Sequence, residues 1–186
     1  MRESMSEPRD KNGLTEAEFL ESYNPGEWKR PSLTADVCIV AQSGDEKKIL
    51  LIRRGNHPYL GRWALPGGFS EEGERIEETA ARELLEETGI SMPAEALSLV
   101  GIYSRPGRDP RGWTVSAAYL AVVDPEKVKP VAADDADAVG WFTMIRKGEG
   151  IILKKGDMEI GSDGIAFDHH EIMADAWKTG ILHGSF

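Results

Sequence analysis

The sequence predicts an α/β protein in which helices flank one mixed sheet. Short apolar runs of strand length recur along the chain and are interrupted by three segments with helical signals. The 186 residues carry no internal repeat and no linker long enough to separate two domains. That length, with 40% apolar and 29% charged residues, is typical of one ordinary globular domain.

The first helical segment follows a polar N-terminus. Residues 1–13 are predicted to be a disordered tail, and residues 14–186 a single domain. Thr15 can cap a short helix, and Glu18 three residues later completes the pattern of a capping box. This helix is expected to end before Pro25, because proline cannot continue a helix.

The strands are predicted from apolar, β-branched runs bounded by turn residues. They cover residues 34–41, 47–54, 62–69, 96–104, 114–123 and 138–144, and the third of them is broken by Pro66, Gly67 and Gly68. A helix is predicted over residues 74–88, with Gly89 just past its C-terminus, where glycine is favoured. A hairpin is expected around residues 157–167, and a closing helix over residues 168–182 with Asp168 as its cap.

Charge and composition narrow the functional classes. The net charge is −10 and the pI is near 4.9, which disfavours binding to nucleic-acid phosphates. The sequence shows no signal-peptide pattern and no run of membrane-spanning length. The single Cys38 excludes an intrachain disulfide, which fits a reducing compartment. We expect a cytoplasmic protein with neither a membrane nor a nucleic acid as partner.

The predicted helix over residues 74–88 is rich in acidic residues. At about 100° per residue, one side of it is mainly apolar and is expected to bury against the sheet. That side consists of Ala80, Ala81, Leu84, Leu85 and Thr88. Glu83, Glu86 and Glu87 share the adjoining face, because residues three and four apart are neighbours on a helix.

Two interpretations of this acidic face are open from the residues alone. The first is a solvated surface, on which water screens the like charges and Arg82 offsets part of their repulsion. The second is a metal site, because Mg²⁺ binds through a few carboxylates together with substrate phosphates. The glycine-rich turn before the helix would let the backbone approach a metal or phosphate closely. That combination favours metal-assisted hydrolysis of a phosphate ester or anhydride.

The spacing around the acidic face resembles the signature of a known family. Gly68 is followed after five residues by Glu74, and after seven more by RELLEETGI, which runs from Arg82 to Ile90. This stretch is similar to the Nudix box at every fixed position. The resemblance implies the Nudix fold, an α/β/α sandwich around a mixed sheet. It also implies an enzyme that hydrolyses the diphosphate joining a nucleoside to another moiety.

The resemblance assigns roles to the matching positions. It implies that Mg²⁺ or Mn²⁺ is held by three carboxylates and one backbone carbonyl, those of Glu83, Glu86, Glu87 and Gly67. Arg82 would orient a carboxylate by ion pairing, and Glu74 would belong to the same network. The resemblance leaves open how many metal ions bind.

The general base has more than one candidate. Glu86 or Glu87 could take the proton from the attacking water. In some members of the family that this chain resembles, the base lies on a later loop. Here the stretch AADDADA offers three carboxylates, those of Asp134, Asp135 and Asp137. The alternative for these three is an ordinary solvated loop.

The substrate has to be predicted from residues outside the box, because the box handles only the diphosphate. Pro106 lies 16 residues after Ile90, a spacing that resembles the ADP-ribose pyrophosphatases. Residues 23–40, 104–121 and 167–172 resemble the same bacterial branch. The candidate substrate-binding residues are Arg54, Tyr59, Arg105, Arg108 and Arg111. Solvent exposure is the alternative for the arginines, and a core or rim position for Tyr59.

These observations predict a Mg²⁺-dependent hydrolase that converts ADP-ribose to AMP and ribose 5-phosphate. One alternative is a nucleoside triphosphate pyrophosphatase that cleans the nucleotide pool. Another is a Nudix domain that senses ADP-ribose without catalysis. The expected partner is a small nucleoside diphosphate derivative, and a homodimer is compatible with the sequence without being required by it.

Overall fold

The computed structural model describes residues 7–43, 46–124, 128 and 136–182. The chain divides into two compact units, one up to Arg30 and one from Pro31 onward. The first unit contains helix α1 (Glu16–Ser22), and its predicted capping box between Thr15 and Glu18 is confirmed. Residues 1–6 of the predicted tail lie outside the described residues. A single domain over residues 14–186 stays a prediction.

The second unit contains one sheet, which has nine strands among the described residues. In chain order they are β1 (Ser32–Ser43), β2 (Glu46–Arg54), β3 (Trp63–Ala64), β4 (Gly67–Phe69), β5 (Ser98–Tyr103), β6 (Thr114–Val123), β7 (Ala136–Lys147), β8 (Gly150–Lys155) and β9 (Met158–Ile160). Two longer helices accompany them, α2 (Ile76–Thr88) and α3 (His169–Leu182). The described part of the chain contains no helix long and apolar enough to cross a membrane.

The sheet is mixed, as predicted. Its order is β5-β6-β1-β2-β7-β8-β9, with β3 beside β2 and β4 beside β1. Strands β1 and β6 run parallel, whereas β2 and β4 run antiparallel to β1. The strand β4 therefore places Gly67 directly opposite Asp36 of β1. Through this pairing, the glycine-rich turn before α2 lies directly beside β1.

The core lies on both faces of the sheet. Successive side chains of a strand point to opposite faces, and β1 shows this alternation. Val37 packs in the cluster that contains Leu84 of α2, whereas Val40 packs in the cluster that contains Ile172 of α3. The helices α2 and α3 therefore cover opposite faces, and the predicted α/β/α sandwich around a mixed sheet is confirmed.

Several element boundaries differ from the predictions. Helix α2 begins at Ile76 instead of residue 74, because the Glu74 carboxylate accepts the backbone N–H of Glu71 in the preceding turn. The side of α2 expected to be buried is narrower than predicted, since Leu85 is 49% exposed. Gly89 does end the helix in the left-handed conformation, with φ of 71°.

One strand prediction agrees with the structure and another needs correction. The strand expected over residues 62–69 with a break at Pro66, Gly67 and Gly68 is present as β3 and β4, and Pro66, which has no N–H to donate to a sheet, lies between them. The hairpin expected around residues 157–167 instead joins β8 to β9, and a short 3-10 turn follows over Ser162–Gly164. Strand β8 was not predicted from the sequence.

Candidate active site

A tight turn between β3 and β4 forms one side of the site, and we call residues 65–67 the catalytic turn. The backbone N–H of Val37 donates to the Pro66 carbonyl at 2.8 Å. The N–H of Gly67 donates to Oε2 of Glu87, also at 2.8 Å. A side chain at Gly67 would overlap the carbonyl of Ala35. Glycine is therefore required here by the close approach of two backbones.

Arg82 organises the carboxylates of α2. Its Nε donates to Oε1 of Glu74 at 2.7 Å, and its Nη1 donates to Glu83 at 2.8 Å and to Glu86 at 3.0 Å. Its Nη2 donates to the Phe69 carbonyl at 2.9 Å. The hydrogen bonds from Arg82 hold the pKa of Glu74 at about 2. The Arg82–Glu74 network suggested by the sequence is thus present in the geometry.

The side chains of Glu83 and Glu87 lie next to Gly67 and Gly68. Burial, together with the neighbouring Glu83 and Asp36 carboxylates, raises the pKa of Glu87 to about 8, although the hydrogen bond from the Gly67 N–H acts in the opposite direction. Burial likewise raises the pKa of Glu83. A side chain at Gly68 would overlap the Glu83 carboxylate. Two half-buried carboxylates held this close favour either a proton or a cation between them.

A divalent cation fits this donor set in charge and in chemistry, because hard cations prefer carboxylate and carbonyl oxygens. The complete predicted set is not preassembled, however. Within the described ranges, no three His, Cys, Asp or Glu side chains are already placed to hold one metal ion together. Glu83 and Glu87 line the cleft, whereas the more exposed Glu86 is held aside by Arg82.

The cleft above these carboxylates has a volume of about 430 Å³, in the range of small-molecule sites. Its lining includes the carboxylates of Glu83 and Glu87, which we call its acidic side, and the guanidiniums of Arg54 and Arg111, which we call its basic side. Arg111 donates to both oxygens of Asp109, with Nη2 at 2.7 Å from Oδ2. A cleft lined by both acidic and basic groups can hold a cation and an anion together.

Arg54 and Arg111, two of the three arginines that line the cleft, form what we call the arginine wall, and aromatic rings contact both. The Arg54 guanidinium lies 5.0 Å from the ring centroid of Phe167, and its Nε donates to the Pro58 carbonyl at 2.7 Å. The Arg111 guanidinium lies 4.7 Å from the ring of Phe69 and 5.5 Å from Phe167. Such cation–π contacts are typically worth about 0.5–2 kcal/mol each.

The other predicted substrate-binding residues have different surroundings. Tyr59 packs edge-on against Phe167, with ring centroids 4.8 Å apart. The exposed Arg105 pairs with Glu171 at 2.9 Å. The buried Arg108 donates through Nε and Nη2 to Asp168, at 2.8 and 2.6 Å. The structure thus brings Arg54 and Arg111 to the cleft and engages Tyr59, Arg105 and Arg108 in contacts within the protein.

The loop candidates for the general base are not described. Asp134 and Asp135 lie outside the described residues, and the side chain of Asp137 does too. Asp168 directly precedes α3 as predicted, and its carboxylate is occupied by Arg108. Of the candidates for the base, Glu87 therefore has the best-defined surroundings.

Sequence reasoning missed several residues at the site. Asp36, 6% exposed, lies opposite Gly67 and accepts a hydrogen bond from the buried Ser116 hydroxyl. A lone carboxylate within an apolar strand was a usable signal, because buried charges need partners. Phe69 and Phe167 were also missed, and no local pattern distinguishes them from core aromatics.

An α/β/α sandwich with an acidic helix behind a glycine turn defines a class of site suited to a metal ion and a phosphate-containing ligand. A family model described as the NUDIX domain matches residues 32–146. The chain belongs to the Nudix hydrolase family, and the family and enzyme class predicted from the box are confirmed.

Three similar proteins bear on the substrate. An ADP-ribose pyrophosphatase from Methanocaldococcus jannaschii is 41% identical over 137 residues, which cover 73% of this chain and 70% of that protein. The ADPR responsive transcriptional repressor NtrR from Acinetobacter baylyi is 32% identical over 89% of this chain, and the match spans 61% of the repressor's length. The NUDIX domain of Shewanella oneidensis NrtR, solved in complex with ADP ribose, has a TM-score of 0.71 at 30% identity, over 89% of this chain and 99% of that one.

Proposed function

We propose that this chain is a Mg²⁺- or Mn²⁺-dependent ADP-ribose pyrophosphatase that yields AMP and ribose 5-phosphate. The observation that carries the proposal is the placement of Glu83 and Glu87 in one cleft with Arg54 and Arg111. Hydrolysis of a diphosphate needs cationic groups that neutralise its charge. It also needs a group that delivers water to phosphorus. The 41% identity to an ADP-ribose pyrophosphatase supports the substrate.

In this proposal the metal is held by carboxylates of α2 and by the backbone of the catalytic turn. The ligands would be Glu83, Glu86, Glu87 and the carbonyl of Gly67. A divalent cation bound there supplies neutralisation of the diphosphate and polarisation of its phosphoryl oxygens. Since Arg82 donates to Glu86 in this structure, Glu86 would exchange that hydrogen bond for the cation. Glu74 would keep Arg82 in place meanwhile, because it makes two hydrogen bonds to the same guanidinium.

Proton transfer from water is assigned to a carboxylate of the same cleft. Glu87 suits this role by position, because it lines the cleft and a general base must reach the water that it deprotonates. Its Oε2 is fixed by the N–H of Gly67, so its second oxygen is the one that would face both the cation and the attacking water. Glu86 and the later Asp134, Asp135 and Asp137 remain alternatives.

Arg54 and Arg111 would bind the phosphates of the substrate. Phe167 contacts both guanidinium groups, and Asp109 accepts a hydrogen bond from that of Arg111. The two side chains are therefore already ordered, and little side-chain conformational entropy would be lost on binding. The ring of Phe69, 43% exposed beside Arg111, offers an apolar surface at the same edge of the cleft. This arrangement can hold a diphosphate with a ribose or base next to it.

The direct test is a product-identified assay. The full chain is incubated with ADP-ribose and Mg²⁺ or Mn²⁺, beside a panel of nucleoside diphosphate derivatives and nucleoside triphosphates. We expect ADP-ribose to be among the fastest substrates, with AMP and ribose 5-phosphate as the products. Negligible turnover of ADP-ribose beside fast turnover of another compound would reject the substrate assignment.

Two alternatives have distinct outcomes in the same assay. A nucleoside triphosphate pyrophosphatase would release pyrophosphate and a nucleoside monophosphate. A sensor, which the match to a transcriptional repressor keeps open, would be stabilised by ADP-ribose and give no product over hours. A cytoplasmic location and the absence of nucleic-acid and membrane partners stay predictions. So does a homodimer, which is compatible with the sequence.

A further inference from the structure

Three consecutive residues at the start of α3 contact three different parts of the candidate site. Phe167, Asp168 and His169 form what we call the 167–169 segment, and they lie outside the residues 32–146 that the family model matches. Phe167 contacts the arginine wall, Asp168 binds Arg108, and His169 contacts the catalytic turn. A short element from a distant part of the chain thus contacts both the arginine wall and the catalytic turn.

His169 makes the most specific of these contacts. Its ring is 4% exposed, and its Nδ1 accepts the backbone N–H of Leu65 at 2.9 Å. A neutral imidazole that accepts at Nδ1 carries its hydrogen on Nε2, and Nε2 faces Oδ1 of Asp36 at 3.5 Å. Burial lowers the pKa of His169, which agrees with a neutral ring. One side chain therefore connects the catalytic turn to the buried carboxylate of β1.

The contact at Leu65 bears directly on the geometry of the cleft. Consecutive residues of the catalytic turn are held by separate partners, Leu65 by His169, Pro66 by Val37 and Gly67 by Glu87. Leu65 is 1% exposed, so its N–H depends on a protein acceptor. Loss of that acceptor would leave the N-terminal side of the turn without its hydrogen bond. The N–H of Gly67 that positions Glu87 lies only two residues away.

The rest of the segment keeps His169 in place. Asp168 is 3% exposed, and both of its oxygens accept from the buried Arg108. Phe167 has φ of 53°, a left-handed conformation that costs energy for a bulky residue and persists only when its surroundings impose it. Its ring is fixed between Arg54, Arg111 and Tyr59. The two residues that precede His169 are therefore both anchored.

We infer that His169 is a positioning residue for the hydrolysis of the diphosphate, acting on the catalytic turn through the backbone N–H of Leu65. The inference rests on the proposed function, because the turn matters for catalysis only if Gly67 and Glu87 serve it. The inference assigns His169 an action through the backbone of the turn, and no contact with the substrate or the reacting atoms. Its effect is on the rate of the chemical step, since a misplacement of about 1 Å in an active site can cost about 10²-fold.

Three variants separate this role from simple core packing. In His169→Asn the amide oxygen can take the place of Nδ1 and accept from Leu65. In His169→Gln the amide group reaches the place of Nε2 near Asp36 instead, and His169→Ala keeps neither contact. We expect kcat for ADP-ribose to fall about 10- to 100-fold in the Ala and Gln variants, with KM changed less than about threefold, and to recover in the Asn variant to within about threefold of the original chain.

The neighbouring His170 provides the matched control. His170 is half-buried and lies near Glu171, where its Nε2 is 3.8 Å from the carboxylate. His170→Gln changes the same residue type one position along the helix, and kcat and KM should stay at the values of the original chain. Equal kcat in the Asn and Gln variants of His169, or unchanged kcat in His169→Ala, would overturn the inference.

A second readout does not depend on activity. Amide hydrogen exchange at Leu65, measured in chelator-treated protein, should be at least about tenfold faster in His169→Gln than in the original chain, and unchanged in His169→Asn and His170→Gln. Unchanged exchange at Leu65 in His169→Gln would overturn the positioning role. If the original chain fails to hydrolyse ADP-ribose while Leu65 exchange responds as expected, the proposed function fails and the effect of His169 on the turn stands.

Discussion

The two sides of the cleft are built in opposite ways. The acidic side comes from one continuous stretch, in which Glu74, Arg82, Glu83 and Glu87 are fixed by the geometry of α2 and the turn before it. The basic side is assembled from distant segments, with Arg54 at the end of β2 and Arg111 in the loop before β6. The proposed metal-binding residues are therefore close together in sequence, whereas the proposed substrate contacts are brought together only by the fold.

The largest effect is expected from a change on the acidic side. Glu87→Gln should lower kcat by about 10³-fold with KM changed little, because the amide keeps the acceptor for the N–H of Gly67 and loses the charge. Steady-state kinetics on ADP-ribose with Mg²⁺ measures it. Glu77→Gln removes one charge from the same helix near Arg75 and should leave kcat unchanged. A similar loss in both variants would show that the charge of the helix matters more than the position of Glu87.

A smaller loss is expected when the charge is kept and the geometry is changed. Arg82→Lys should lower kcat by about 10- to 100-fold, because a lysine cannot reach Glu74, Glu83 and the Phe69 carbonyl together. The exposed Arg75, which pairs with Glu77 and Glu78 at the start of α2, gives the control Arg75→Lys. Near-normal kcat in Arg82→Lys would contradict a role for the network in orienting the carboxylates.

Helical spacing placed Glu83, Glu86 and Glu87 on one face of α2, and of these three Glu83 and Glu87 line the cleft whereas Glu86 pairs with Arg82. The predictions failed where long-range packing decides the outcome. Leu85 was expected in the core and is exposed, because α2 covers the sheet with a narrower stripe. Arg105 was grouped with Arg111 by its proximity in the loop, yet it pairs with Glu171.

The fold was predicted to a similar extent. Alternating apolar runs gave the mixed sheet and its helices, and capping chemistry placed the ends of α1 and α2 near their observed positions. The order of the strands could not be predicted, since the parallel pairing of β1 with β6 joins segments about 80 residues apart. The pairing of Asp36 with Gly67 and the contact of His169 with Leu65 depend on that long-range arrangement.

A third prediction concerns the basic side of the cleft. It distinguishes Arg111 from Arg105, which lies in the same loop and was also predicted to bind substrate. Arg111→Gln should raise KM for ADP-ribose about tenfold with a smaller change in kcat, because a charge-assisted hydrogen bond to a phosphate is worth about 1.5–3 kcal/mol. Arg105→Gln is the control from the same loop and should leave KM unchanged. A rise in KM for the Arg105 variant alone would show that the arginine wall has been misassigned.

The smallest effect is on stability in the absence of metal. The pKa of Glu87 is about 8 in the folded chain against an ordinary value of 4.5. At pH values between these two, the carboxyl group is protonated in the folded chain and ionised in the unfolded chain. Its contribution to stability is present below about pH 4.5 and is lost as the pH rises through 8. In chelator, the Tm of Glu87→Gln relative to the original chain should therefore rise by a few degrees from pH 5 to pH 8. A Tm difference that is independent of pH would contradict the raised pKa.

The central claim is that one side of the cleft performs the chemistry and the other holds the substrate. Parallel kinetics of Glu87→Gln and Arg111→Gln on ADP-ribose, with Mg²⁺ and identified products, test it most directly. We expect a loss confined mainly to kcat in the first variant and mainly to KM in the second, with AMP and ribose 5-phosphate as products in both. A loss confined to KM in Glu87→Gln, or to kcat in Arg111→Gln, would contradict it.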